Sequence, residues 1–142
     1  MPAMTAIQRA FLAMPRFAVL GASTDQTKYG NKVLRWYKTR NLEVTPINAK
    51  VVSIEGLETV SNLEALPEPK STSVSIVTPS KVTLDALRSA KSLGIPYIWI
   101  QPGAADEAVA DYVANDDYLQ PRVVYGGPCI LVLGDGLLGA RL

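Results

Sequence analysis

The sequence predicts an α/β fold, a three-layer α/β/α domain in which a mainly parallel sheet of five or six strands lies between helices. Three observations lead to this prediction. Short apolar runs alternate with amphipathic segments along the chain, which is the pattern of repeated strand–helix–strand units. Several apolar runs are continuous, as expected for strands that are buried on both faces. Most of them end in glycine, proline or a small polar residue, which are the residues that begin loops.

Residues 1–14 allow two interpretations. Ile7, Phe11 and Leu12 would lie on one side of an N-terminal helix and pack on the domain. The same segment has an arginine and no acidic residue, which also fits a weak mitochondrial presequence. We expect the packed helix, and we expect a single domain over residues 1–142.

The first strand, helix and second strand come next. The run RFAVLGA is apolar after its first residue and stops at a glycine, so it predicts a buried strand. Residues 31–39 predict a helix with one apolar face. The run EVTPINAK predicts the second strand. Pro46 inside it favours an edge position, because proline has no N–H to donate to a neighbouring strand.

The middle of the chain is less regular. Residues 53–70 predict a short edge strand and a helical turn at 62–66. The run SVSIVTPS predicts the third main strand. A clear amphipathic helix follows, with Ser80 as its expected N-cap and Gly94 as the residue that stops it.

The last third of the chain repeats the alternation. The run YIWIQPG predicts the fourth strand, AADEAVADYVAND a helix with acidic residues in its first turn, and RVVYGG the fifth strand. The apolar tail PCILVLGDGLLGARL is broken by three glycines. We expect the tail to add a strand, either across a homodimer or to the sheet of the same chain.

Composition narrows the classes of function. The net charge is +1 and there is no basic stripe, so we expect no nucleic-acid partner. No apolar stretch is long enough to predict a membrane span. The single cysteine, Cys129, cannot form an intrachain disulfide, which favours a reducing compartment and a cytoplasmic location, with a mitochondrial one as the alternative. The absence of histidine excludes a Ser-His-Asp or Cys-His nucleophile.

Four predicted loops at the carboxyl ends of the strands contain small, polar or proline residues. Ligands of open parallel sheets bind at this edge, so the four loops together predict a binding site. Their residues are Gly21, Ala22 and Ser23 after the first strand, Asn48 and Lys50 after the second, Thr78 and Pro79 after the third, and Gln101, Pro102 and Gly103 after the fourth.

The first loop fits phosphate better than it fits the dinucleotide fingerprint. That fingerprint needs three closely spaced glycines and an acid at the end of the second strand, whereas Gly21 is next followed by Gly30, and Asn48 stands where the acid should be. The predicted helix begins near Asn31, so its positive end and the charge of Lys28 could hold an anion. An NAD(P)-dependent oxidoreductase stays open as an alternative, and so does a plain strand–helix turn with a solvated lysine.

Five segments in order resemble the small CoA-binding proteins, whose Rossmann-like domain is similar to the N-terminal domain of the succinyl-CoA synthetase α subunit. The resemblance runs from residue 17 to residue 129. It implies a Rossmann-like fold and coenzyme A as the ligand. The segments are AVLGASTDQTKYGNKVLRWY, VTPINAK, LPEP, SIVTP and IWIQPG.

The resemblance also assigns roles to the loops. Asn48 and Lys50 match the second loop of the family, although Ala49 replaces its proline. Cys129 matches a late cysteine of the family, and the tail beyond it departs from the family pattern. The residues implied to cradle the CoA phosphates are Gly21, Ala22, Ser23, Lys28, Gly30 and Asn31. Those implied near the nucleotide or the pantetheine arm are Thr78 and Pro79, and those implied near the thiol are Gln101, Pro102 and Gly103.

We therefore expect a protein that binds coenzyme A or a short acyl-CoA without catalysis, as a regulatory or carrier protein. Succinyl-CoA synthetase uses a phosphorylated histidine, and this chain has none. An interaction module of an acyl-CoA ligase-type complex is a further alternative. Cys129 lies in an apolar run, which favours a buried structural thiol over a nucleophile.

Overall fold

The computed structural model describes residues 4–141 and confirms the Rossmann-like α/β class. Five strands form one parallel sheet in the order β2–β1–β5–β6–β7, and β3 and β4 form a separate antiparallel pair. The strands are β1 (Arg16–Leu20), β2 (Val44–Ile47), β3 (Ser53–Ile54), β4 (Leu57–Glu58), β5 (Thr72–Ile76), β6 (Tyr97–Ile100) and β7 (Val123–Val124). The helices are α1 (Met4–Leu12), α2 (Tyr29–Thr39), α3 (Ser80–Leu93), α4 (Glu107–Ala114) and α5 (Ile130–Arg141), with 3₁₀ turns at Leu63–Ala65 and Pro69–Ser71.

The sheet separates two apolar cores. Val74, Ile76 and Ile98 face α3 and α4, whereas Phe17 and Trp99 face α1, α2 and α5. Side chains of a strand point alternately to opposite faces, so each continuous apolar run supplies both cores. Burial on both faces explains the continuous apolar runs of β1 and β6, whereas β5 also buries Thr72, Ser73 and Ser75.

The N-terminal helix packs on the second of these cores, as predicted. Ile7, Phe11 and Leu12 are buried. The ring of Phe11 lies 5.6 Å from that of Trp99 in an edge-to-face arrangement. Ser73 donates a hydrogen bond of 2.8 Å to the carbonyl oxygen of Phe11, which joins the helix to β5.

The region between β2 and β5 differs from the prediction. Instead of a short edge strand, residues 53–58 form a hairpin of their own. Glu55 and Gly56 occupy its turn with φ of 52° and 77°, the positive values that a tight hairpin turn requires. One parallel bridge joins Val60 to Ile47, and β2, with Pro46, is the edge strand, as expected.

The start of α3 also differs from the prediction. Pro79, with φ −56° and ψ 148°, holds the N-cap position, and Ser80 is the first helical residue. The restricted φ of proline suits this extended cap, so Ser80 is not the N-cap. At the other end, Gly94 has φ 74° and closes the helix as predicted.

The tail forms α5 rather than a strand, so neither form of the predicted added strand is present. The helix begins where the carbonyl oxygen of Cys129 accepts hydrogen bonds from Val132 and Leu133. Arg40 joins α2 to α5 through two hydrogen bonds to Asp135, of 2.5 and 2.9 Å. Across residues 4–141, no helix has both the length and the apolar character that a membrane span needs.

Two glycines of α5 give a matched test of this packing. A Cβ atom at Gly134 would lie 2.3 Å from the ring of Trp36, whereas a Cβ atom at Gly136 would meet nothing within 4 Å. We expect Gly134→Ala to lower the free energy of unfolding by about 1–3 kcal/mol through overpacking. Gly136→Ala should raise it by roughly 0.5–1 kcal/mol, because alanine favours a helix. Urea unfolding measures both, and a stabilised Gly134→Ala variant would contradict the packing of α5 on Trp36.

Candidate functional site

A cleft of about 620 Å³ opens at the carboxyl ends of β1, β2 and β5. Seven of the thirteen residues predicted for the site line it, together with two residues that were not predicted. The predicted lining residues are Gly21, Ser23, Lys28, Gly30, Lys50, Thr78 and Pro79, and the other two are Tyr29 and Val77.

Close backbone packing forms the floor of the cleft. Gly21 has φ 93°, and a Cβ atom there would lie 2.4 Å from the carbonyl oxygen of Val77. A Cβ atom at Gly30 would lie only 2.0 Å from the carbonyl oxygen of Gly21. Gly30 is therefore needed to bring α2 against the first loop.

The buried amide of Asn31 holds the first loop from inside. Its Nδ2 donates to the carbonyl oxygen of Ser23 at 2.8 Å and to the carboxylate of Glu55 at 3.1 Å. Its Oδ1 accepts a hydrogen bond of 2.6 Å from Arg35. The pKa of Glu55 lies below its ordinary value, mainly because Asn31 and Gln26 donate to its carboxylate. The side chain of Asn31 is thus fully used within the chain, so it positions Ser23 and does not face the cleft.

Asn48 joins the first and second loops in the same way. Its Nδ2 donates to the carbonyl oxygen of Ala22 at 3.0 Å, and its Oδ1 accepts from the backbone N–H of Lys50 at 2.7 Å. Ala22 itself is buried. These two residues support the cleft from behind, and they are absent from its lining.

Positive charge gathers around the cleft. Lys28 and Lys50 are exposed, and within the described part of the chain neither forms an ion pair. The N-terminus of α2 reaches the same space, since Lys28, Tyr29 and Gly30 belong to the lining. No acidic side chain is among the lining residues. The arrangement can therefore hold an anion with two ammonium groups and the positive end of a helix.

A second cavity, the side pocket, lies at the ends of β6 and β7 and has a volume of about 190 Å³. Three predicted residues, Gln101, Pro102 and Gly103, line this pocket and not the cleft. The full lining of the side pocket is Ile100, Gln101, Pro102, Gly103, Ala105, Asp106, Ala110, Tyr125, Gly126 and Gly127.

Cys129 contacts the cleft through Tyr29. Its Sγ is in hydrogen-bond contact with the hydroxyl of Tyr29, and the thiol is half-buried rather than buried in an apolar core as predicted. The pKa of Tyr29 is raised above its ordinary value, first by burial and then by the hydrogen bond with Cys129. Tyr29 is therefore a neutral phenol at physiological pH.

The lining residues that the sequence did not predict depend on contacts between distant segments. Tyr29 meets a cysteine one hundred positions away. Tyr125 and Asp106 come together from different loops of the side pocket. Local patterns carry no signal for such contacts, although the position of Tyr29 between Lys28 and Gly30 marked it as part of the first loop.

A parallel sheet between helices, with a cationic cleft at the carboxyl ends of its strands, defines the Rossmann-like class of domain. The model of the CoA binding domain family matches residues 15–135, and the chain belongs to that family. A conserved hypothetical protein from Pyrococcus furiosus is 31% identical, with a TM-score of 0.71, over 82% of this chain and 97% of that chain.

Two further solved structures share the fold. A hypothetical protein from Pyrococcus horikoshii has a TM-score of 0.79 and 18% identity over 97% of this chain and 94% of that chain. A protein from Thermus thermophilus has a TM-score of 0.77 and 24% identity over 94% of this chain and 98% of that chain. Among curated protein sequences, none matches this chain significantly.

Gly21 and Gly103 allow the close packing of the cleft to be tested. Both have positive φ, 93° and 89°, but only a Cβ atom at Gly21 would collide with a neighbour. We expect Gly103→Ala to lower the free energy of unfolding by about 1–2 kcal/mol, the strain of the left-handed region. Gly21→Ala should lower it by a further ~1–3 kcal/mol because of the collision with Val77. Equal losses in urea unfolding would contradict the close approach.

Proposed function

We propose that the protein binds coenzyme A or a short acyl-CoA in the cleft, as a non-catalytic or regulatory binder. The observation that carries the proposal is the placement of Lys28, Lys50 and the N-terminus of α2 around one cleft without an acidic side chain. Membership in the CoA binding domain family supports the same ligand.

The charges of the ligand match the groups around the cleft. Coenzyme A carries a pyrophosphate and a separate 3′-phosphate, so it needs cations at two places. Lys28 and Lys50 lie on different loops, after β1 and β2. Asn31 and Asn48 hold these loops in place before any ligand arrives. Such preorganisation favours affinity, because binding then orders fewer groups.

The end of β2 argues against a nicotinamide dinucleotide. A dinucleotide site has a carboxylate at this point for the hydroxyls of the ribose. Here the residues are Asn48, Ala49 and Lys50, and both polar atoms of the Asn48 amide are bonded within the chain. The geometry of this loop therefore gives no support to an NAD-dependent oxidoreductase, and the first loop, which lacks the closely spaced glycines, disfavours NADP as well.

Calorimetric titration tests the proposed ligand directly. CoA, acetyl-CoA, NAD and NADP are titrated separately into the purified protein at one salt concentration. We expect saturable binding of the two CoA compounds and no heat of binding from NAD or NADP. Tighter binding of either dinucleotide than of CoA would refute the proposal.

The lysines give a more detailed test. We expect Lys28→Ala and Lys50→Ala each to weaken CoA binding by about 1–3 kcal/mol, the contribution of a charge-assisted hydrogen bond, and to leave pantetheine binding nearly unchanged. Lys32→Ala is the matched control, because Lys32 is an exposed lysine of α2 outside the cleft lining. Equal losses for CoA and pantetheine, or an equal loss in the control, would count against phosphate contacts.

A further inference from the structure

We propose that the carboxylate of Glu55 is a positioning group for the cleft. From the turn of the β3–β4 hairpin it holds the first loop in the shape in which Lys28 and the N-terminus of α2 face the same anion. This inference rests on the proposed function, because it names a residue that keeps that same site ready for a phosphate. Glu55 lies outside the lining of the cleft, so it acts through other residues and not by touching the ligand.

The carboxylate of Glu55 binds two side chains that stand on either side of Lys28. Its Oε2 accepts a hydrogen bond from Nδ2 of Asn31 at 3.1 Å and another from Nε2 of Gln26 at 3.2 Å. Gln26 lies two residues before Lys28, and Asn31 lies three residues after it. The segment that carries the lysine is thereby tied to the hairpin at both of its ends.

Two cations of α2 complete this hydrogen-bond network. Arg35 donates to Oδ1 of Asn31 at 2.6 Å and to the carbonyl oxygen of Gln26 at 3.1 Å. Nζ of Lys38 donates to the backbone carbonyl oxygen of Glu55. The pKa of Glu55 lies below its ordinary value, first because Asn31 and then because Gln26 donates to its carboxylate, and the charges of Arg35 and Lys38 act in the same direction. Glu55 is therefore ionised at neutral pH, and its hydrogen bonds are charge-assisted.

The backbone of Glu55 gives a second reason to assign a role to its side chain. Glu55 has φ 52° and is followed by Gly56 with φ 77°. Hairpin turns with positive φ at both central positions favour Asn-Gly or Asp-Gly, because most other residues are strained in the left-handed region. Glutamate is not the residue that the turn itself prefers. The longer reach of its carboxylate, to Gln26 and Asn31, accounts for glutamate at this position.

Positioning and simple electrostatics predict opposite effects of removing this carboxylate. Glu55 places a negative charge near a site for anions, so Coulomb repulsion alone predicts that its removal tightens anion binding. Positioning predicts weaker binding, because a loop that is free before binding must be ordered when the ligand binds, at a cost in affinity.

Calorimetric titration of CoA into the Glu55→Asn variant measures the sign of the effect. Asparagine before Gly56 suits the turn, so the thermal midpoint should not fall, whereas its shorter side chain does not reach both donors. We expect CoA to bind roughly three- to ten-fold more weakly, the range that the ordering of one side chain gives. Glu58→Gln is the matched control, because Glu58 is an exposed acid of the same hairpin outside the lining. This control should bind CoA as tightly as the unmodified protein or slightly more tightly.

The outcomes separate this inference from the proposed function. If the unmodified protein binds CoA and Glu55→Asn binds it equally or more tightly, the positioning role is wrong and the proposed function stands. An equal loss of affinity in Glu58→Gln would also overturn the positioning role. If the unmodified protein does not bind CoA, the proposed function fails and this inference fails with it.

Gln26 offers a variant that leaves the hairpin turn unchanged. Gln26→Ala removes one of the two donors to the carboxylate, so it should weaken CoA binding by a smaller factor than Glu55→Asn does. The double variant should bind CoA no more weakly than Glu55→Asn alone, because the two side chains act through one contact. Losses that multiply in the double variant would contradict the network.

Hydrogen exchange in the ligand-free protein measures the effect on the loop itself. The N–H of Thr27 donates to the carboxylate of Asp25 at 2.9 Å, and the N–H of Lys28 donates to the Asp25 carbonyl oxygen at 3.0 Å. We expect both amides to exchange several-fold faster in Glu55→Asn than in the unmodified protein, and at an unchanged rate in Glu58→Gln. Unchanged exchange in Glu55→Asn would overturn the proposal, because the loop would then be held without the carboxylate.

Discussion

The close approach of three backbone segments is the constraint on which the rest of the site depends. The carbonyl oxygen of Gly21 fills the space that a side chain at Gly30 would need, and the carbonyl oxygen of Val77 does the same for Gly21. The start of α2 is thereby pressed against the ends of β1 and β5. Glycine is the residue that permits both features, because it has no Cβ atom and adopts the positive φ of Gly21 without a steric penalty. This packing holds the positive N-terminal end of α2 beside Lys28, next to the ends of β1 and β5.

The asparagines of the first two loops extend this constraint to the lysines. A surface lysine contributes little to an anion site if its loop is free to move, because binding must then order the loop as well. Asn31 attaches the first loop to α2 and to the β3–β4 hairpin, and Asn48 attaches it to the second loop. The side-chain amides of Asn31 and Asn48 hold the loops without belonging to the lining of the cleft. Residues that match a family motif can therefore hold the loops of a site without belonging to its lining.

Much of the fold could be predicted from the sequence, and less of the site. Continuous apolar runs separated by amphipathic helices indicate a parallel sheet, and the α/β class, the edge position of Pro46 and the stop at Gly94 were predicted correctly. The helical structure of the C-terminal tail was not predicted, because glycine normally disfavours a helix. In the structure, Gly134 is needed to pack α5 on Trp36. The residues of the four loops at the carboxyl ends of the strands were predicted as one group. The division of that group into lining, supporting and side-pocket residues depends on hydrogen-bond partners that are distant in sequence, such as Ile130 for Gln101.

The two ends of the sheet edge carry opposite charges, so a charged ligand would bind there in one orientation. The ammonium groups and the helix N-terminus lie at the ends of β1, β2 and β5. The side pocket at the ends of β6 and β7 has several apolar residues in its lining and the carboxylate of Asp106. A molecule with phosphates at one end and a neutral carbonyl at the other is favoured in one orientation only, because reversing it would bring phosphate to Asp106 and apolar atoms to the lysines. Opposite charges at the two ends of the sheet edge therefore favour one orientation of an anionic ligand over the reverse.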